Sequence, residues 1–212
     1  MKLYGYFRSS AAYRVRIALN LKGIAVEHAF IHLRREEQHA ADYLAMNPLG
    51  LVPTLEHDGR LLTQSLAIIE YLDEIAPQPP LLPVAAADRA YVRSLALSIA
   101  CDIHPLNNLR VLGYLSDQLQ VDAAGKEAWY AHWVSIGLRA VEQVLARDSR
   151  VGVYCCGDRP GLADICLVPQ VFSAERFKCD LFEMPTITRI VAAARQHPAF
   201  AAAAPGAQRD AE

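Results

Sequence analysis

The first 76 residues alternate between strand-like and helix-like hydrophobic patterns. Residues 2–7 alternate between two faces, which is the period of a half-buried strand. Residues 10–22 then repeat apolar side chains at helical spacing, and Lys22-Gly23 ends the pattern. A second apolar strand is predicted near residues 26–31. The chain is therefore expected to open with a strand, a helix and a second strand.

Further elements complete this part of the chain. The polar stretch 34–43 can hold a short irregular helix, and Asp58-Gly59 is a strong hairpin-turn signal between two short strands. Residues 65–75 carry one apolar stripe at helical spacing. The predicted order is β-α-β-(α)-β-β-α, which corresponds to a small mixed sheet with helices on its faces.

The pattern changes after residue 76. The proline-rich segment 77–83 cannot continue a helix and predicts an interdomain linker. Beyond it the spacing is helical throughout, with a kink or break expected at Pro105. The predicted helices cover residues 88–115, 125–147, 162–177 and 185–196. We expect an α/β domain over 1–80, an all-helical domain over 86–212, and a frayed alanine-rich tail at 201–207.

Composition and charge exclude several classes of function. Hydrophobic residues make up 53% of the chain and charged residues 21%, as in a well-packed globular protein, and the net charge of −2 gives no footprint for nucleic acid. No apolar run reaches the length of a membrane span and no leader pattern opens the chain, so a cytoplasmic location is expected. The five cysteines show no CxxC or CxxH spacing, which favours neither a disulfide framework nor a metal site.

The segment Arg8–Arg14 joins the first strand to the first helix and carries candidate chemistry. Ser9 and Ser10 fall at the helix N-terminus, where unpaired backbone N–H groups and the positive end of the helix dipole favour an anion. Arg8 adds a positive charge beside them. No residue here is a strong nucleophile, so the anion would belong to a ligand. The pattern also allows a purely structural role, in which one serine only caps the helix.

Three short motifs lie at predicted element boundaries: Val52-Pro53-Thr54, Gln64-Ser65 and Gly161–Asp164. They resemble motifs of the cytosolic glutathione transferase superfamily. The first is similar to the cis-proline turn that pairs with the cysteinyl unit of glutathione, and the second to the residue pair that holds its γ-glutamyl end. The third is similar to the capping segment of the helical domain. Gly161 stands where that family usually has Ser or Thr, at a small expected cost. The resemblance covers essentially the whole chain and implies an N-terminal thioredoxin-like domain followed by a C-terminal all-helical domain.

Three longer segments indicate which class within this superfamily the chain resembles. They are residues 9–19, 64–72 and 104–112. They are similar to the signatures of zeta-class enzymes, the maleylacetoacetate and maleylpyruvate isomerases. Ala11 departs from that pattern, which often has Cys here, and this argues against an enzyme thiol and against thiol–disulfide chemistry. The implied reaction is cis–trans isomerisation of a maleyl double bond. Glutathione thiolate would add, the central bond would rotate, and the thiol would be regenerated, so that glutathione is a catalytic cosubstrate.

The resemblance also assigns roles to individual residues. Ser9 would donate a hydrogen bond to the glutathione sulfur, which must ionise near neutral pH. Ser10 and Ala11 would lie at the edge of the sulfur. The permanently charged Arg8, Arg110 and Arg176 would hold the carboxylates and the developing enolate of the substrate. The glutathione-binding set is expected to be Ser9, Ser10, Ala11, Gln38, Val52, Pro53, Gln64, Ser65, His104, Asn108 and Arg110.

Structural roles compete with some of these assignments. Arg8 could be only a surface charge, Arg110 could pair with a local acid, and Arg176 could serve only the C-terminal end of its helix dipole. Arg14 and Arg16, on the first helix, are expected to form structural ion pairs. Asp164 is expected to cap its helix rather than to act in catalysis.

Three functions follow from the resemblance. The leading hypothesis is an isomerase acting on a dicarboxylate keto acid, either maleylacetoacetate or maleylpyruvate, in aromatic catabolism. The second is a general glutathione transferase for small electrophiles, which would want a more apolar acceptor pocket. The third, a non-enzymatic glutathione-fold binding protein, predicts a damaged thiol site, whereas Ser9, Pro53 and Gln64-Ser65 are all present. The family also implies a two-fold homodimer.

Overall fold

The computed structural model describes all 212 residues, which divide into two compact units. The first unit joins Met1–Pro80 with Gln196–Glu212, and the second is Leu81–Arg195. The sequence pattern predicts that the end of the chain belongs to the helical domain, 86–212. In the structure, the segment from Gln196 onward instead groups with the first unit.

The first unit is built on a four-stranded mixed sheet with the order β2-β1-β3-β4. Its strands are β1 (Lys2–Gly5), β2 (Glu27–Phe30), β3 (Thr54–His57) and β4 (Arg60–Thr63). Its helices are α1 (Ser10–Lys22), α2 (Ala41–Met46), α3 (Ser65–Ile75) and, at the end of the chain, α9 (Pro198–Ala203). β1 runs parallel to β2 and antiparallel to β3, and β3 pairs antiparallel with β4. This is the predicted thioredoxin-like arrangement.

Helix α1 is the centre of the first unit. Val15, Ile17 and Ala18 are fully buried, because α1 packs against α3 on one side and α9 on another. The predicted fraying of residues 201–207 is wrong. Ala203 is buried and its carbonyl oxygen accepts a hydrogen bond from Nε of Arg16 at 3.0 Å. Small alanine side chains let α9 approach α1 closely, and this packing replaces the disorder expected of a chain terminus.

The second unit is helical. Its helices are α4 (Ala86–Leu97), α5 (Leu109–Asp117), α6 (Ala123–Arg147), α7 (Leu162–Arg176) and α8 (Pro185–Gln196). The predicted break at Pro105 is confirmed: between α4 and α5 the chain forms a π-helical turn, Ser98–Ile103, and then a 3₁₀ turn, His104–Asn107. No helix combines the length and the apolar content that crossing a membrane requires.

Helix α7 is the core of the second unit, and most of its side chains are buried. Its first turn is capped by Asp164, whose carboxylate accepts the N–H groups of Gly161 and Cys155, each at 2.9 Å. The expected capping role of Asp164 is therefore confirmed. Gly161 cannot cap with a side chain, and its own N–H group is held by Asp164 instead.

Candidate active site

The N-terminus of α1 presents the two predicted serines. Ser9 is the N-cap residue, with extended backbone, and its Oγ accepts the N–H group of Ala12 at 3.2 Å. The hydroxyl accepts this bond with a lone pair, so its proton is left to be donated elsewhere. Ser10 is buried at the first helical position, and the first turn contains no acidic residue. The structural cap and the candidate hydrogen-bond donor are thus the same side chain.

Arg8 lies one residue before this cap. Its guanidinium group stacks on the ring of Phe7, with 4.8 Å between the guanidinium carbon and the ring centroid. Phe7 is buried, whereas Arg8 is partly exposed. The stacking holds a positive charge at the surface next to Ser9.

The predicted cis-proline turn is confirmed, since the Val52–Pro53 peptide bond is cis. The turn is anchored from behind, because the carbonyl oxygen of Leu51 accepts hydrogen bonds from Tyr43 Oη and Asn47 Nδ2, both at 2.7 Å. No backbone hydrogen bond within the protein uses the N–H or C=O group of Val52. Both groups can therefore pair with the backbone of an extended ligand.

The N-terminus of α3 has no side-chain cap. Gln64 precedes the helix with a positive φ of 68°, a conformation that a residue with a Cβ rarely adopts. Its side chain is exposed and makes no capping hydrogen bond, and the first turn has no acidic residue. Ser65 is buried as the first helical residue. Strained backbone beside an uncapped helix end is typical of a binding position.

Strand register brings these three features to one edge of the sheet. Thr54 in β3 pairs with Tyr4 near the end of β1, and also with Thr63, the last residue of β4. The Ser9 cap follows β1, the cis-proline turn precedes Thr54, and Gln64 follows Thr63. Because β1 and β4 end where β3 begins, the α1 N-terminus, the proline turn and the α3 N-terminus share this edge.

Gln38 lies in a 3₁₀ turn, Glu37–His39, that packs against the loop leading into the proline turn. A Cβ atom on Gly50, whose φ is +60°, would lie 3.0 Å from the His39 ring and 3.2 Å from the Gln38 carbonyl oxygen. Glycine is required there both for its backbone angle and for this close approach. The Oε1 atom of Gln38 is buried and has no hydrogen-bond partner within the protein. It can accept a hydrogen bond from a ligand N–H group.

The second unit holds the remaining predicted site residues. His104 begins the 3₁₀ turn after the π-helical segment and is partly buried. Asn108 caps α5, with its Oδ1 accepting the N–H group of Arg110 at 3.1 Å. Asn108 thus has a structural role that the sequence analysis does not assign to it. The Arg110 side chain is exposed.

Arg176 ends α7 and lies over an aromatic pair. Its guanidinium carbon is 4.4 Å from the ring centroid of Phe177, which stacks on Tyr130 of α6 with 3.7 Å between ring centroids. Burial raises the pKa of Tyr130 to about 12, and the positive charge of Arg176 acts in the opposite direction. The neighbouring Trp129 donates from Nε1 to the Leu106 carbonyl oxygen at 2.8 Å. The same turn of α6 therefore contacts both the His104–Asn107 turn and the aromatic support of Arg176.

Of the two buried arginines on α1, Arg16 differs from expectation. Arg16 does not form the expected ion pair; its guanidinium group donates to the carbonyl oxygens of Tyr6, Phe7 and Ala203. Arg14 is buried and its Nη1 lies 3.4 Å from Oγ of Ser65, so it connects the two helix N-termini. Arginines at positions 14 and 16 within an otherwise buried helix are visible in the sequence, but two of their acceptors, Ser65 and Ala203, lie far away along the chain.

Comparisons with known proteins agree with this geometry. Residues 1–74 match the family model of the glutathione S-transferase N-terminal domain. A probable maleylacetoacetate isomerase of Vibrio cholerae is 52% identical, covering 99% of this chain and 97% of that protein. The holo structure of a maleyl pyruvate isomerase, described as a bacterial zeta-class glutathione S-transferase, is 48% identical with a TM-score of 0.98 over 100% of both chains.

A second solved structure includes bound molecules. It is a maleylacetoacetate isomerase of Methylobacterium extorquens AM1 with malonate and glutathione bound, 41% identical with a TM-score of 0.97 over 100% of both chains. Similarity of this extent over the full length leaves no part of the chain outside the match. The chain therefore belongs to the zeta-class glutathione transferases, the family of the maleylacetoacetate and maleylpyruvate isomerases.

Proposed function

We propose that this protein is a glutathione-dependent isomerase that converts a maleyl keto acid, maleylacetoacetate or maleylpyruvate, to its fumaryl isomer in the breakdown of aromatic compounds. The observation that carries the proposal is the shared sheet edge. There the Ser9-capped N-terminus of α1 and the N-terminus of α3, which has no side-chain cap, flank a cis-proline turn, and the N–H and C=O groups of Val52 form no backbone hydrogen bond. Relatives with these names at about half identity over the full length support the reaction and the substrate class.

The residues at this edge fit glutathione. The N–H and C=O groups of Val52, beside Pro53, would pair with the cysteinyl unit. Gln64 and Ser65, at the open start of α3, would hold the γ-glutamyl carboxylate. The orphaned Oε1 of Gln38 would accept the peptide N–H group of the glycyl end. In this assignment each part of the tripeptide would meet a group of complementary hydrogen-bonding character.

The N-terminus of α1 would hold the sulfur. Ser9 donates its hydroxyl proton to it, while the N–H groups of Ser10 and Ala11 face the same charge at the helix end. These contacts favour the ionised form and lower the pKa of the bound thiol. When bound, glutathione supplies a thiolate that adds reversibly to the activated double bond, which allows rotation before the thiolate leaves.

The arginines are assigned to the acid substrate. Arg8 supplies a positive charge next to Ser9, and Arg110 and Arg176 supply two more from the helical unit. Guanidinium groups bind carboxylates through two parallel hydrogen bonds and stabilise negative charge that develops on the enolate oxygen. His104 and Asn108 would contribute further polar contacts to glutathione.

Comparing two kinds of substrate tests this assignment. Arg110→Ala and Arg8→Ala should lower kcat/KM for the maleyl acid by roughly 30- to 1000-fold, the equivalent of about 2–4 kcal/mol for one lost charged contact. Conjugation of a neutral aryl halide should change little, because that acceptor has no carboxylate. Arg139→Ala is the matched control, since Arg139 forms only an exposed ion pair with Glu183 at 3.1 Å.

Two outcomes would overturn the assignment. If both activities fall in parallel in the Arg110 and Arg8 variants, these arginines hold glutathione or the fold rather than the acid. If neither activity falls, the side chains are surface charges, and a general transferase for small electrophiles becomes the better description.

We also infer a cytoplasmic homodimer. The family resemblance supports the two-fold assembly, and the expectation of a cytoplasmic location follows from the sequence pattern. The free cysteines fit a reducing compartment, where structural disulfides are rare.

A further inference from the structure

The loop that presents Ser9 is short and sits between two regular elements. β1 ends at Gly5 and Ser9 caps α1, so residues 6–8 form the whole connection between the strand and the Ser9 cap. Within this loop the Ser9 N–H group donates to the Tyr6 carbonyl oxygen at 3.0 Å. One local backbone bond does not fix a loop, so its other polar groups need partners elsewhere.

Those partners come from α1 and from the C-terminal segment. The Phe7 N–H group donates to Oδ2 of Asp210 at 2.9 Å. The Phe7 carbonyl oxygen accepts from Nη2 of Arg16 at 2.9 Å, and the Tyr6 carbonyl oxygen accepts from Nη1 of Arg16 at 3.4 Å. Every backbone polar group of Phe7 is thereby bonded to a side chain from outside the loop.

Arg16 also ties the C-terminal segment to the loop. Its Nε donates to the Ala203 carbonyl oxygen at 3.0 Å, at the end of α9. Arg16 and Asp210 line one small cavity of about 10 Å³, room for roughly one water molecule. The two charges are close without forming a direct ion pair. Burial lowers the pKa of Arg16 to about 10, with the negative charge of Asp210 acting against this.

Burying the Arg16 guanidinium group costs free energy, because the charge loses its hydration. Arg16 is only 5% exposed, and a buried guanidinium group needs several acceptors to offset its lost hydration. Its acceptors are the two loop carbonyl oxygens and one carbonyl oxygen of the returning chain. Loops of this length are commonly held by hydrogen bonds within the turn, whereas this loop is held by a residue of α1 and by Asp210 near the end of the chain.

We propose that Asp210 and Arg16 are positioning residues for the Ser9 hydroxyl, so that the C-terminal segment sets the geometry of the thiolate site. Asp210 fixes the Phe7 N–H group and Arg16 fixes the carbonyl oxygens of Tyr6 and Phe7. Together they lock the loop that ends in the Ser9 cap. The proposal rests on the proposed function, because it concerns the group that lowers the pKa of bound glutathione.

When Asp210 is replaced, the pKa of the bound glutathione thiol moves in opposite directions for the two possible roles of Asp210, namely positioning the loop or acting only through its charge. Removing a nearby negative charge favours a thiolate and lowers the pKa of the bound thiol. Releasing the loop weakens the hydrogen bond from Ser9 and raises that pKa. Asp210→Ala does both, whereas Asp210→Asn removes the charge but retains an oxygen that can accept the Phe7 N–H group.

The experiment compares wild type, Asp210→Ala and Asp210→Asn with Asn20→Ala as the matched control. Asn20 Nδ2 donates to the Ala199 carbonyl oxygen at 2.9 Å and holds the same C-terminal segment to α1 without contacting the loop. For each protein, ultraviolet absorbance against pH gives the pKa of bound glutathione. Steady-state rates give kcat and the KM for glutathione, and thermal unfolding gives Tm.

We expect Asp210→Ala to raise the thiol pKa and to lower kcat on the order of 10-fold, since small losses of alignment carry large kinetic effects. Its KM for glutathione should change less than about twofold, because the anchors near Gln64 and Val52 are untouched. Asp210→Asn should restore most of kcat, and its thiol pKa should equal that of wild type or lie below it. Asn20→Ala should lower Tm and leave the thiol pKa unchanged.

Three results would overturn the proposal. The first is an unchanged or lowered thiol pKa in Asp210→Ala, and the second is an equal loss of kcat in Asp210→Asn. The third is the same pKa shift in Asn20→Ala, which would indicate general loosening of the segment. A wild-type protein that forms no glutathione thiolate would instead refute the proposed function, which keeps the two failures distinct.

Discussion

Replacing Ser9 by alanine removes two interactions at once. The Oγ atom accepts the N–H group of Ala12, and in the proposed function its proton is donated to the sulfur of glutathione. Loss of the helix cap should cost about 1 kcal/mol of folding free energy. Loss of a hydrogen bond to a charged sulfur should cost about 1.5–3 kcal/mol. Because one pKa unit corresponds to about 1.4 kcal/mol, the pKa of the bound thiol should rise by about 1–2 units.

Two control variants separate these effects. Ser9→Gly retains most of the capping stability but lacks the hydroxyl, so it should match Ser9→Ala in thiol pKa and wild type in Tm. Asp122→Ala removes an equivalent cap on α6, where Oδ1 accepts the Gly125 N–H group at 2.8 Å. It should lower Tm by a few degrees and leave the thiol pKa unchanged.

The assay is an ultraviolet titration of the thiolate in each protein saturated with glutathione, paired with thermal unfolding of the same samples. An unchanged titration midpoint in both Ser9 variants would refute the reasoning, and the N–H groups of Ser10 and Ala11 would then have to stabilise the thiolate alone. A shift in Ser9→Ala but not in Ser9→Gly would attribute the effect to the cap instead.

The remaining predictions concern stability, cysteine chemistry and assembly. Asp164→Ala should lower stability by about 2–4 kcal/mol, measured by urea unfolding, since the N–H groups of Gly161 and Cys155 lose their acceptor; a loss no larger than that of Asp122→Ala would contradict this. Cys101 is exposed, whereas burial raises the pKa of the Cys155 thiol, so a thiol reagent should label Cys101 first; equal labelling in the native protein, read by mass spectrometry, would be inconsistent. Sedimentation should show a homodimer, and a single species near 23.4 kDa at micromolar concentration would exclude it.

The local spacing of hydrophobic and turn residues is sufficient to predict most elements of the fold. The alternation in residues 2–7, the Asp58-Gly59 turn and the apolar stripe of α3 each depend on nearest neighbours, and the structure has these elements where they were predicted. The break at Pro105 followed from its missing N–H group. Such features need no knowledge of distant residues.

The C-terminal segment shows where local pattern fails. Alanine-rich residues 201–207 carry no strong periodicity, yet Ala203 is buried because α9 packs against α1, and its carbonyl oxygen accepts a hydrogen bond from Arg16. The same applies to Asp210, which contacts Phe7 across almost the entire sequence. Hydrogen bonds between positions this far apart leave no spacing signal. The sequence alone therefore predicts a frayed end, and for Arg16 it predicts an ion pair where the structure has contacts with carbonyl oxygens.

The central claim is that glutathione acts as a regenerated cosubstrate in a cis–trans isomerisation. The most direct test follows loss of maleylacetoacetate and of maleylpyruvate by the wild-type protein, with a small amount of glutathione, with S-methylglutathione and with neither. We expect many turnovers per glutathione for at least one substrate, no loss of free thiol at the end, and no turnover without the free thiol. Turnover with S-methylglutathione, or consumption of one glutathione for each substrate converted, would contradict it.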